Sequence, residues 1–184
     1  MFGTGSKIAD KLVEWMKMRV AQGPGVKGLF YPCSMKDLKI EKNDLPSALD
    51  AKSVYDNGSE SYLEEKKSDR HIVKYHFRIY TFPMENRDES ADTPLKKAEQ
   101  KMKEQTESFS KNFSASHFKT SGVKQVDVTY ADASSRILAS STGTKYDVLL
   151  VRKGDLLIVL NAEDSDYDSR NNELTESEYA SDII

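Results

Sequence analysis

Three histidines, one cysteine and a few glycine-bearing stretches are the residues of this chain whose types could support chemistry. His71 and His76 are five residues apart in a stretch that alternates apolar and polar positions. An odd spacing in a strand sends two side chains to opposite faces, so this pair does not ligate one metal ion. His117 lies beyond a helical stretch and has no carboxylate or thiolate at ligand spacing. Cys33 follows Pro32, and a thiol can act as a nucleophile with a distant histidine. Nothing local activates it, and an isolated cysteine is more commonly a small buried apolar residue. A single cysteine also makes neither an internal disulfide nor a multi-thiolate zinc site.

The glycine stretches read as structure. Gly3-Thr4-Gly5-Ser6-Lys7 opens a helix but has neither the preceding strand nor the full spacing of a phosphate loop. Lys153-Gly154-Asp155 fits a hairpin turn. Asn57-Gly58-Ser59 and Asn112-Phe113-Ser114 meet the glycosylation pattern, which acts only on a secretory route. No catalytic, cofactor-binding or metal-ligating constellation is expected.

The elements that would position any site centre on 122–162. Val126, Val128 and Tyr130 alternate with polar residues and predict a strand over 123–130. Strands are predicted over 136–141, 145–151 and 156–162, with a turn at Ser141-Thr142-Gly143-Thr144 and a hairpin at Arg152-Lys153-Gly154-Asp155. The 145–151 segment is apolar on both faces at its end, which places it centrally. Residues 71–82 form the clearest strand, with Val73, Tyr75, Phe77 and Ile79 on one face and Lys74, His76 and Arg78 on the other. Thr93 as N-cap and Pro94 behind it start a helix over 93–113, whose Leu95, Ala98, Met102, Phe109 and Phe113 form an apolar stripe. A second amphipathic helix spans 6–22, carrying Trp15. Residues 26–70 predict an irregular crossing with one or two short strands, one near 26–31.

The expectation is an α+β domain over 1–162, with an antiparallel sheet of about five or six strands. At 184 residues one core is the simplest organisation. The net charge of −3 is unevenly spread: residues 163–184 hold eight acids against Arg170 alone, which predicts an acidic, flexible tail. No run is long and apolar enough to span a bilayer, and the reading is a cytoplasmic protein, or a secreted or periplasmic one if a leader has been removed. The order of helix and meander resembles that of cystatin-like folds and of the small photosystem accessory and nuclear-transport-factor-binding proteins. That resemblance is one of element order, and such folds host both binders and enzymes.

The functional expectation is therefore a non-catalytic accessory or protein-interaction module. Its partner would be another protein, met through the sheet face, the N-terminal helix or the tail, with Trp15, His76, Arg78, Tyr167 and Tyr179 as candidate contacts. The alternative is a small-ligand protein or enzyme with a pocket between the sheet and helix 93–113, and His76, Tyr75 or Tyr146 at its mouth. A third reading has Lys27, Lys36, Lys39, Lys42, Lys66, Lys67 and Arg70, beside Tyr31 and Tyr62, binding nucleic acid under an autoinhibitory tail.

Overall fold

The computed structural model describes residues 52–56, 60–82, 92–128, 131–177 and 180. The helix expected over 6–22 with Trp15, the strand near 26–31, Cys33 and Tyr179 lie outside the described residues.

Seven strands form one sheet: β1 (Lys52–Asp56), β2 (Glu60–Ser68), β3 (His71–Thr81), β4 (Lys119–Gln125), β5 (Ala133–Ser141), β6 (Thr144–Lys153) and β7 (Leu156–Asp166). Their order is β1-β2-β3-β7-β6-β5-β4, and every neighbouring pair is antiparallel. The helix α1 (Asp92–Ala115) carries the chain from β3, near the middle, to β4 at the far edge. A meander then returns through β5 and β6 until β7 closes on β3. The fold is α+β, as expected, and β7 is its central strand. No helix among the described residues is long and apolar enough to cross a membrane.

The central strands are apolar on both faces because both faces are covered. On one face, Ile137, Ala139, Val148, Leu150, Leu157 and Val159 meet Phe113, Phe109 and Met102 of α1. On the other, Leu63, Val73, Tyr75, Phe77, Ile79, Leu149, Val151, Ile158 and Leu160 form a second core, joined by Val126, Val128, Ala131 and Ala180. The first is the helix face and the second the opposite face.

Several boundaries differ from the sequence reading. α1 begins at Asp92, so Thr93 is already in the first turn rather than at its cap, where Pro94 is still tolerated. Its C-terminus is a Schellman motif: Phe118 N–H donates to Phe113 O (3.0 Å), His117 N–H donates to Ser114 O (3.1 Å), and His117 takes a left-handed φ of 58°. The rings of Phe113 and Phe118 lie 5.9 Å apart, the apolar contact that accompanies this cap. The cap turns the chain directly into β4, which therefore occupies 119–125 and not 123–130. Val126 and Val128 leave the ladder and pack on the opposite face, so their alternation reported burial without a strand. β2 is a nine-residue strand where an irregular crossing was expected. β7 continues to Asp166, so the boundary expected at residue 162 falls inside a strand.

The β5–β6 turn is tied to the end of β7. Gly143 has φ of 74°, its carbonyl accepts from Asp166 N–H at 2.8 Å, and a Cβ there would stand 2.9 Å from Asp166 O. Gly122 has a similar φ of 68° but open space around it. Alanine at Gly122 should lose about 1–2 kcal/mol, the cost of a left-handed side chain. Alanine at Gly143 adds a backbone collision and should lose clearly more. Urea unfolding midpoints of the two variants test this, and equal losses would show that the turn does not bear on β7.

Candidate functional site

The register sets out the helix face as rows running across the sheet. One row reads Tyr62, His76, Asn161, Val148, Ile137, Val123 from β2 to β4. The next reads Glu64, Lys74, Glu163, Tyr146, Ala139, and on its other side lies Glu60, Arg78, Val159, Leu150, Ser135. Each row passes from charged or aromatic residues on β2 and β3 to mostly apolar ones under α1. The polar part is the candidate site.

Its centre is the Glu60 carboxylate. One oxygen, Oε1, meets His76 Nε2 at 2.5 Å and accepts from Arg78 Nε at 2.8 Å. Their side chains are 28%, 26% and 43% exposed for Glu60, His76 and Arg78, so the cluster is part-buried and open to a partner on one side. The Arg78 hydrogen bond holds the Glu60 carboxyl below the ordinary carboxylate range, against the effect of burial and with help from His76. Burial alone would lower Arg78, but Glu60 and Tyr80 outweigh it and keep the guanidinium protonated. The Tyr62 ring meets the His76 ring edge-on, with centroids 6.0 Å apart.

A second network lies alongside. Lys74 Nζ stands 3.5 Å from Glu163 Oε1. Burial would lower Lys74, yet Glu163 and Tyr62 raise it above its usual range. Burial pushes the Tyr62 phenol up, as do Glu163 and Glu64, with Lys74 opposing. Burial, followed by Glu163, likewise raises Tyr146. Both phenols are thereby held in the neutral form, able to donate and accept hydrogen bonds. The Asn161 Oδ1 atom, in the same row as His76, is buried and has no hydrogen-bond partner.

His76 and Arg78, both singled out from the sequence, are thus brought together, and on one carboxylate. Tyr146 lies on the same face, whereas Tyr75 is 1% exposed in the core of the opposite face and stands at no pocket mouth beside α1. The error had a simple cause, since position 75 has the parity of Val73 and Phe77. Tyr167 is 65% exposed at the end of β7, its N–H donating to Arg70 O (3.0 Å). His71 is on the far side from His76, beside Asp164 Oδ1 at 2.8 Å. Glu60, the residue that organises the site, was missed; the one signal for it was its place in an alternating Glu60-Tyr62-Glu64 run.

Chemically the site is a set of fixed donors, acceptors and rings. The neighbours of His76 in its row are Tyr62 and Asn161, neither of them an activated hydroxyl or thiol, and no group of three metal-ligating side chains occurs among the described residues. The chain matches no family model, no curated protein and no solved structure.

Because the folded pKa of Glu60 is depressed, its contribution to stability is complete above its unfolded value of about 4.3 and is lost as pH falls through the folded value. Wild type should exceed Glu60→Gln in stability by up to about 1 kcal/mol at pH 7, the scale of part-exposed ion pairs. That difference should shrink below pH 4 in chemical denaturation. A gap that is unchanged at pH 3 would mean that the ion pairs are not its source.

Proposed function

We propose that this chain is a non-catalytic protein-interaction module that docks its partner on the polar part of the helix face, over β2 and β3. One observation carries the reading: Tyr62, Lys74, His76 and Arg78 stand part-exposed beside α1, each held by cross-strand contacts to Glu60 or Glu163 or to one another. Tyrosine and arginine dominate binding energy at interfaces, and side chains already ordered lose less entropy on docking. Arg78, the most exposed of the Glu60 trio, is suited to a partner carboxylate, and the Tyr62 and Tyr80 rings to flat apolar or cationic surface. Lys101 of α1 already lies 5.1 Å from the Tyr80 ring centroid and extends the same surface.

The buried, unpartnered Asn161 Oδ1 supports a second reading, a small ligand bearing an N–H or O–H donor, received between β3, β7 and α1. The nucleic-acid reading has less behind it. Of its cations within the described residues, Lys66 pairs with Asp69, Lys67 with Glu65 and Arg70 with Asp168, so little positive charge is left for phosphate.

A photo-crosslinking residue at position 62 identifies the partner, and affinities for that partner then decide. Tyr62→Ala and Arg78→Ala should each weaken binding at least about tenfold, the scale of an interface hot spot. Lys124→Ala, on the distant β4 edge, should leave it unchanged. Equal affinity of wild type and both face variants would remove the helix face as the docking surface.

A further inference from the structure

The opposite face holds an arrangement that the proposed docking surface does not use. Arg136 of β5 and Asp147 of β6 form a buried two-pronged ion pair, with Nε to Oδ1 at 2.7 Å and Nη2 to Oδ2 at 2.5 Å. Such a pair, set in a sheet, contributes little net stability over an apolar pair of similar volume. This pair also has further hydrogen-bonding capacity on the same side, and the chain's own C-terminal segment engages both of its members. Arg136 Nη1 reaches Glu176 Oε2 at 2.8 Å, and Asp147 Oδ2 accepts the Ser177 backbone N–H at 2.7 Å.

Three more contacts fix the path of the segment. Ser140 Oγ donates to Asn172 O (2.5 Å), Lys145 Nζ donates to Thr175 Oγ1 (3.1 Å), and Ala180 is fully buried in the core of this face. Yet the segment itself is shallowly held. Residues 170–173, 175 and 176 are exposed, and the Glu176 side chain is 63% exposed even while bound. Removing it would leave Arg136 and Asp147 still bonded to each other, so its departure strands no lone buried charge. This is the relation of a groove to a peptide.

We propose that β5 and β6 form a recognition groove for acidic linear peptides, occupied in cis by residues 172–177 and Ala180, and that an acidic segment of another protein binds there when this strap is released. The required chemistry follows from the contacts. An acidic side chain meets Arg136, the next residue must carry a backbone N–H for Asp147, which excludes proline, and a small residue three positions later enters the core as Ala180 does. Lys145 adds a positive neighbour that favours acidic over basic sequences.

The test uses the full chain. Ser177→Pro deletes the N–H that Asp147 accepts, and Glu176→Gln removes the negative charge that faces Arg136 while keeping the shape. Limited proteolysis should cut within 170–177 at least tenfold faster in Ser177→Pro and severalfold faster in Glu176→Gln, with the exchange of β6 and β7 amides unchanged. A fluorescent peptide of sequence 170–184 should then bind Ser177→Pro at least tenfold more tightly than wild type, whose own strap competes. The same peptide with Gln in place of the residue-176 glutamate should bind several times more weakly. The proposal is overturned if β6 amides accelerate together with the strap in either variant, since the segment would then be part of the cooperative core. It is equally overturned if the strap opens and the peptide does not bind.

Discussion

The pairing of β3 with β7 is the constraint on which the rest of this structure depends. It joins two meanders, β1-β2-β3 and β4-β5-β6-β7, through an unbroken register from His71 opposite Asp166 to Thr81 opposite Leu156. Side chains alternate across a strand, so this register decides at once which residues enter which face. It sets Val73, Tyr75, Phe77 and Ile79 beside Ile158, Leu160 and Ala162 in one core. It sets Lys74, His76 and Arg78 beside Glu163, Asn161 and Val159 on the other face. A slip of one residue would drive three cationic or imidazole side chains into the apolar core.

The two faces then diverge in how they handle charge. On the helix face, α1 covers only the side toward β4, and the charges left beyond it on β2 and β3 are part-exposed and paired across strands. On the opposite face, a guanidinium and a carboxylate are taken out of water within the sheet itself, and their remaining hydrogen-bonding capacity points at a crossing peptide segment. The acidic run that begins within β7 thus divides its charges: Asp164 meets His71, Asp168 meets Arg70, and Glu176 meets Arg136.

Legibility followed the strength of local patterns. β3, β6, β7 and α1 were readable because long apolar alternation, a continuous Leu156–Leu160 run and a helical stripe each had one structural solution. β2 was not, since its inward positions are Ser61, Leu63 and Glu65, with a single large apolar side chain among them. Its strand character comes from the ladder it forms with β3. Val126 and Val128 erred in the opposite sense: their period was right for burial, but the Schellman cap at His117 had already committed the preceding residues to the edge ladder. In the site, His76 and Arg78 could be chosen as polar-face residues of a clear strand, while Glu60, sixteen residues before His76, could not be linked to them without the β2–β3 register.

The sequence by itself determined the class of fold, the central place of the strands near its C-terminal end, and the separation of His71 from His76, because periodicity and turn residues act over a few neighbours. Tertiary structure alone decided that Glu60 gathers His76 and Arg78, that Arg136 and Asp147 are buried as a pair, and that the acidic segment lies across them. These are contacts between residues eleven to forty positions apart, on different strands or, for Glu176, on the segment beyond β7. Nothing in local composition selects one such partner over another; the geometry of the sheet does.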